Sequence, residues 1–340
     1  MKLAGLVVLV AGCGFSTPAS PSDGSVDTSF DAGPGVRKIV FANATVTANL
    51  DNFPVLIPIA GQVDYTQVLD PRKDLRFEDA AHTALAYEVE TWNPNGESLV
   101  WVRVPRIVPG PAESAIFLSV GHDVEIADPS RVWSAYEQVN HFAANANDST
   151  AHAHNGTTVG ALLTTGFLGN AATFATGADK VTFAGPSFDQ WSEGTIEMWI
   201  KPNYAAALDV PADIRVVDNG SSLVIGRLFP LGSLAAFQID FHWSGGAATF
   251  LHPDLALSTW AYVAWSYDGQ NQRVYKDGLA TGVAVVGSHD FAPTAGPLVL
   301  GNGAKVQIDE LRVSQTGLSP GWIAAQQLSM TRSFVTFTDP

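Results

Sequence analysis

The chain has very little of several things that most proteins of its length carry. One cysteine stands among 340 residues, Cys13, so no disulfide can staple a folded domain and stability has to come from core burial. Charged residues are 15% of the chain, well below the roughly 25% of an average soluble domain. Basic residues are few, 18 Lys and Arg against 33 Asp and Glu, and the formal net charge is −15. That balance, with no Lys/Arg cluster, excludes a nucleic-acid partner, because phosphate binding needs concentrated positive charge. Long apolar runs are missing too. The longest N-terminal stretch, Leu3 to Ala11, is too short for a bilayer core that needs about 20 residues.

That stretch has the length of a signal-peptide apolar region, following Lys2. Val10-Ala11-Gly12-Cys13 resembles the bacterial lipobox, in which the cysteine is lipidated and becomes the mature N-terminus. Residues 1–13 then form the lipoprotein signal peptide and lipobox, with Cys13 as lipidation site. The implied partner is a membrane, held through the lipid anchor and not spanned. Gly14 and Phe15 lack the aspartate linked to inner-membrane retention, which points to the outer membrane of a bacterial cell envelope. Residues 14–35 are rich in Ser, Pro, Asp and Gly and read as a flexible linker.

What is abundant is β pattern. Between 36 and 125 lie the runs VRKIVFA, FPVLIPIA, LAYEVETW, LVWVRVPRI and SAIFLSVG, punctuated by turn residues such as Asn93-Pro94-Asn95-Gly96. Val100, Val102 and Val104 alternate with Trp101, Arg103 and Pro105, the period of a strand with two distinct faces. A small antiparallel β-sandwich follows from five such runs. Asn52-Phe53-Pro54-Val55-Leu56, Asp74-Leu75-Arg76-Phe77 with Asp79, Tyr87-Glu88-Val89-Glu90 with Trp92, and Val100-Trp101-Val102-Arg103-Val104-Pro105 resemble a bacterial domain family of unknown function, number 2341. The resemblance implies architecture and no reaction. It departs at Ser119-Val120-Gly121-His122-Asp123, where the family commonly has an aromatic Tyr-Gly-Asn stretch.

From 135 to 316 short strands recur at regular spacing, which implies a two-sheet jelly roll. Gly194-Thr195-Ile196-Glu197-Met198-Trp199-Ile200-Lys201-Pro202, Trp260-Ala261-Tyr262-Val263-Ala264, Tyr267-Asp268-Gly269, Tyr275-Lys276-Asp277-Gly278 and Ile308-Asp309-Glu310-Leu311-Arg312-Val313 resemble the laminin-G-like, concanavalin A-like lectin/glucanase superfamily. The fold class expected for the whole chain is therefore all-β: a small antiparallel sandwich, then a laminin-G-like jelly roll. Residues 317–340 form a C-terminal segment in which Ser319 N-caps a short helix ending near Leu328.

Asp268-Gly269 and Asp277-Gly278 could be read as an acid/base pair. Asp-Gly after an apolar strand is instead a hairpin signal, since Gly accepts positive φ and Asp bonds its own turn. Superfamily glycosidases carry two catalytic carboxylates close together in a Glu-x-Asp-x-x-Glu arrangement. Glu193, Glu197 and Asp309-Glu310 do not reproduce it, and strict alternation puts Asp309 and Glu310 on opposite sides of their strand. The resemblance, without that carboxylate pair, implies a non-catalytic module.

It also implies a structural calcium ion (Ca2+) at a sheet rim, with Asp148 and Asp309 as ligands and the Gly301-Asn302-Gly303 loop offering carbonyls. His141, His152 and His154 have no cysteine partner and no helical spacing, and read as solvated loop histidines. Sugar recognition by such domains uses exposed aromatics, and His242, Trp243 and Trp191 are the candidates for ligand binding. Trp199, Trp260 and Trp265 are assigned to the core. The expected role is a carbohydrate- or surface-polymer-binding or adhesion module, with polysaccharide or an envelope protein as partner. The alternatives are a scaffold without a sugar site and, less favoured, a glycan hydrolase.

Overall fold

A computed structural model describes residues 35–121, 128–206, 214–218, 223–231, 234–243, 246–251, 255–292, 296–301 and 303–339, with backbone alone for 214–218, 223–231, 234–240, 249–251 and 284. Cys13 and the linker lie outside these residues, as does Asn302. Residues 32–340 form one compact unit.

In chain order the strands are β1 (Arg37–Phe41), β2 (Leu50–Pro58), β3 (Leu75–Glu78), β4 (Tyr87–Thr91), β5 (Leu99–Ile107), β6 (Ala115–Val120), β7 (Gln138–Asn140), β8 (Gly156–Val159), β9 (Leu162–Thr165), β10 (Asn170–Phe174) and β11 (Lys180–Phe183). They continue with β12 (Gly194–Pro202), β13 (Ile214–Asp218), β14 (Leu223–Leu231), β15 (Leu234–Trp243), β16 (Gly246–Leu251), β17 (Ala261–Tyr267), β18 (Asn271–Lys276), β19 (Leu279–Val285), β20 (Leu298–Leu300), β21 (Val306–Ser314) and β22 (Val335–Thr338). The helices are a short α1 (Pro71–Asp74) and α2 (Pro320–Met330), whose N-cap Ser319 accepts from the Trp322 N–H.

Two sheets build the first sandwich, β22-β1-β6-β3 and β2-β5-β4. Its first sheet needs the far C-terminus, since β22 pairs antiparallel with β1 from Lys38↔Thr338 to Phe41↔Val335. The second sandwich stacks β19-β18-β17-β12-β21-β10-β9, with β7 joined to β21, on β16-β15-β14-β13-β20-β11-β8.

The alternation in β5 is real, yet both of its faces are buried over residues 99–102. One face belongs to the interior of the first sandwich. The other carries Trp101 onto Trp133 of the connector and Arg312 of β21. One apolar cluster thus runs from Ile39 and Phe53 through Trp101 to Trp199, Tyr262 and Tyr275 on the outer face of the second sandwich. A separate cluster, including Trp265, Phe241 and Met198, fills the second sandwich itself.

Helix α2 closes the seam. Strand β2 pairs only with β5, which leaves an open edge. Ser329 of α2 accepts from the Leu56 N–H at 2.8 Å, and Gln326 donates to the Pro54 carbonyl at 3.1 Å. Two side chains of a helix therefore cover the exposed backbone of an edge strand. Gln326 also accepts from Arg312 at 2.8 Å, so one amide ties both sandwiches together.

Candidate functional site at the seam of the two sandwiches

The seam carries an unusual load of buried charge. Glu197 of β12, Asp309, Glu310 and Arg312 of β21, and His141 after β7 come from the second sandwich. Glu90 of β4 comes from the first, and all six are less than a tenth exposed. A β-bulge makes this possible. Glu197 pairs with Arg312 and Trp199 with Asp309, so the register slips by one residue between them. Glu310 takes up the slip at a φ of +53°, a left-handed conformation. The expectation that Asp309 and Glu310 face opposite sides is corrected here. The bulge turns both carboxylates into one buried group, and Glu310 raises the cost of ionising Asp309.

The positive charges are placed to answer them. Arg312 donates to Glu310 at 2.6 Å and lies over the Trp101 and Trp133 rings at 4.3 and 4.9 Å. His141 Nδ1 lies 2.7 Å from Glu310 and 2.9 Å from Glu90, and its Nε2 is 3.4 Å from Glu88. Burial disfavours the imidazolium, but Glu310, Glu90 and Glu88 together hold His141 protonated well above the ordinary histidine range. Burial likewise opposes the charge on Glu310, while His141 and Arg312 bring its carboxyl below the usual value. Burial pushes Glu90, Glu197 and, most of all, Asp309 upward; Glu310 adds to the shift of Asp309 and Glu90. Glu197 accepts from Tyr136 at 2.8 Å and from Tyr262. The arrangement is a sealed ion network that joins two sandwiches, with no carboxylate pair opening to a cleft.

The histidine reading is also corrected for one residue. His141 is 6% exposed and packed against Trp133, so it is not a solvated loop residue. No signal in the sequence singles it out, because its three carboxylate neighbours are 51, 53 and 169 positions away (141−90, 141−88, 310−141).

Asp148 and Asp309 share no hydrogen-bond partner. Asp148 Oδ1 accepts from the Val139 and Thr150 N–H groups, and Oδ2 from the Thr150 hydroxyl and the His154 N–H. Asp309 is fully buried and accepts from Phe167, Leu168 and Glu310 N–H. With four protein donors on Asp148, about the number of lone pairs a carboxylate has, the two residues as placed do not fit the shared oxygen cage that calcium requires.

The aromatic candidates sit at the far rim. Trp191 is buried against Phe188 and Phe291 and offers no open ring face. Trp243 is half-buried, with the His289 imidazole stacked on it at 4.3 Å and an interplanar angle of 9°. The His242 carbonyl accepts from the Ala292 N–H. Asp268 and Asp277 are turn residues: Asp268 Oδ1 accepts from Gln270 and Asn271 N–H, and Asp277-Gly278, at φ +50° and +80°, makes the two-residue turn between β18 and β19.

A groove of about 430 Å³ opens at the seam. Exposed Asn49, Asp51 and Asn52 form one wall, the loop 316–319 the other, and Trp322 lies at its base. Sequence pattern did not point to it, because its lining comes from three distant segments, 49–52, 134–135 and 316–322.

Residues 175–324 match the concanavalin A-like lectin/glucanases superfamily (Laminin_G_3), and residues 72–157 match a domain of unknown function (DUF2341). The fold is all-β, with a concanavalin A-like sandwich as its second half. No curated protein matches the chain. Among solved structures it is similar to the binding domain of Paraclostridial Mosquitocidal Protein 1, at 11% identity over 57% of this chain and 52% of that one, with a TM-score of 0.48. It is also similar to domain 4 of AbnA, a GH43 extracellular arabinanase from Geobacillus stearothermophilus solved with arabinotriose, at 18% identity over 56% and 98%, TM-score 0.46. The binding domain of botulinum neurotoxin serotype G gives 9% identity over 56% and 50%, TM-score 0.45. The chain spans about half the length of the two toxin domains.

Proposed function

We propose that the protein is a non-catalytic binding module of the bacterial cell envelope, lipid-anchored through Cys13, that holds a carbohydrate or another surface polymer in the seam groove. The observation that carries this reading is the groove's chemistry. Two exposed amides and a carboxylate, Asn49, Asn52 and Asp51, line a cleft within the range of about 300–1,000 Å³ typical of small-ligand sites. Amides and carboxylates are the groups that read sugar hydroxyls. Against an enzyme stands the fate of the acidic residues on β12 and β21, which are enclosed and bonded to Arg312, His141 and two tyrosines.

The test is a polysaccharide pull-down and glycan array with the full chain, its Asn49→Ala/Asp51→Ala variant and Trp243→Ala. Loss in the groove variant with retention in Trp243→Ala supports the reading. A signal indifferent to the groove variant sinks it. The anchor is tested separately by labelling with a fatty acid in wild type and Cys13→Ser.

A scaffold role is the second reading. Strand β19, an edge of its sheet, exposes Leu279, Val283 and Val285 at 72%, 56% and 79%, an apolar edge suited to a protein partner. Concentration-dependent self-association, abolished by Val285→Lys, would favour it.

A further inference from the structure

The structure brings together two of the three histidines that sequence reading had set aside. Glu137, directly before β7, and His152 and His154 of the following loop place one potential ligand atom each within 4.8 Å of one another. His152 Nε2 is 3.5 Å from Glu137 Oε2, and the two imidazoles are parallel within 8° at a centroid separation of 5.8 Å.

The loop is built to aim them. Ala153, between the histidines, has a φ of +55°, and this left-handed step turns residues 152 and 154 to one side. The Asp148 carboxylate fixes the turn by accepting from Thr150 N–H, Thr150 hydroxyl and His154 N–H. Thr150 Oγ1 then accepts from the His152 N–H and lies 3.1 Å from the carbonyl of Glu137, the residue carrying the third ligand. Gly185 leaves the space for the second ring: a Cβ there would lie 2.5 Å from His154 Cε1 and Nδ1.

We propose that Glu137, His152 and His154 bind a divalent first-row transition ion, of which zinc is the natural probe. Two imidazoles and a carboxylate are the donor set such ions prefer, whereas calcium and magnesium prefer oxygen alone. Bonds of about 2.0–2.2 Å in a tetrahedron need donors about 3.4 Å apart. His152 is 48% exposed in its side chain, so it rotates freely enough to close that gap. Three protein ligands leave a fourth position open to water or to a ligand group. Among the described residues one more cluster of this kind, Glu90, His141 and Glu310, has separations of 2.7 and 2.9 Å and is buried, the geometry of proton-held ion pairs.

Zinc chloride titrated calorimetrically into the chelator-treated full chain is expected to show one site. Cobalt is expected to give the visible absorption of a tetrahedral complex. Both signals are lost in His152→Ala, His154→Ala and Glu137→Gln, and retained in His242→Ala. Metal-free melting curves matching wild type show that the variants are folded; Glu137→Gln, a surface amide exchange, serves where a histidine variant does not fold. Absence of zinc binding by the wild type overturns the proposal. So does binding that keeps its wild-type strength in either histidine variant.

Discussion

Arg312 Nη2 lies 2.6 Å from Glu310 Oε2, and both side chains are completely enclosed between two β-sandwiches. An ion pair in such a place does not by itself prove stabilising, because both charges have lost their water. Its partners decide the matter. The guanidinium also donates to Gln326 and stacks on Trp101 and Trp133, so several interactions offset the desolvation.

Removing one partner should cost far more than removing both. Arg312→Met leaves buried Glu197 without the cation that stands 3.9 Å away and leaves Glu310 with His141 alone, and is expected to lower stability by about 3–5 kcal/mol. Arg312→Met with Glu310→Met should recover part of that loss. Urea unfolding of the three proteins decides it; a single-variant loss under about 1 kcal/mol would mean the network is strongly hydrated.

Stability should fall as the solution becomes alkaline. His141 has a folded pKa well above its unfolded value of 6.5, so its contribution is complete below that value and disappears as pH rises through the folded pKa. Asp309 and Glu90, also raised, act in the same direction, whereas Glu310 is lowered and acts at acid pH. The charged groups around the imidazole are Glu88 and Glu90 on β4 and Glu310 on β21, with Arg312 beside the last. Urea midpoints measured from pH 6 to 9 should decline in wild type and decline less in His141→Gln. Parallel slopes would refute the assignment.

The two Asp-Gly turns should differ in their tolerance of alanine. A Cβ at Gly278 meets Gln327 Cβ at 3.1 Å and Ala324 Cα at 3.3 Å on α2, and the residue sits at φ +80°. At Gly269 the φ is +83° but the nearest atom a Cβ would meet is Ser192 O at 3.5 Å. Gly269→Ala is expected to cost about 1–2 kcal/mol from backbone strain alone, and Gly278→Ala measurably more. Thermal melts giving equal losses would show that α2 is free to shift.

The second sandwich should not survive excision. A fragment of residues 135–316 exposes Trp199, Tyr262 and Tyr275, and leaves Glu197, Glu310 and Arg312 without their cover. Binding of a hydrophobic dye and broadened amide spectra are expected for it, against sharp dispersion for residues 36–340. A well-folded fragment would mean that the outer sheet face tolerates water.

Particular residues show where sequence reading holds and where it stops. Asp268-Gly269 and Asp277-Gly278 were legible as turns because turn chemistry is local. Ser319 was legible as an N-cap for the same reason, and α2 runs to Met330, two residues past the expected end. Strands β7, β8 and β9 went unread, since three- and four-residue strands carry too few apolar positions to set a period. Asp309 and Glu310 were read by strict alternation, which a bulge breaks with no change in residue type.

By itself the sequence determined the all-β class and the hairpin turns, because period-two patterning and Asp-Gly chemistry act over a few residues. Only the tertiary structure decided that β22 returns to β1, that α2 covers the edge of β2, and that His141 meets Glu88, Glu90 and Glu310. It also decided that His152 and His154 turn toward Glu137. Those pairings join residues far apart in the chain. What selects them is the burial of two sandwich faces against each other, an energy that belongs to no single segment.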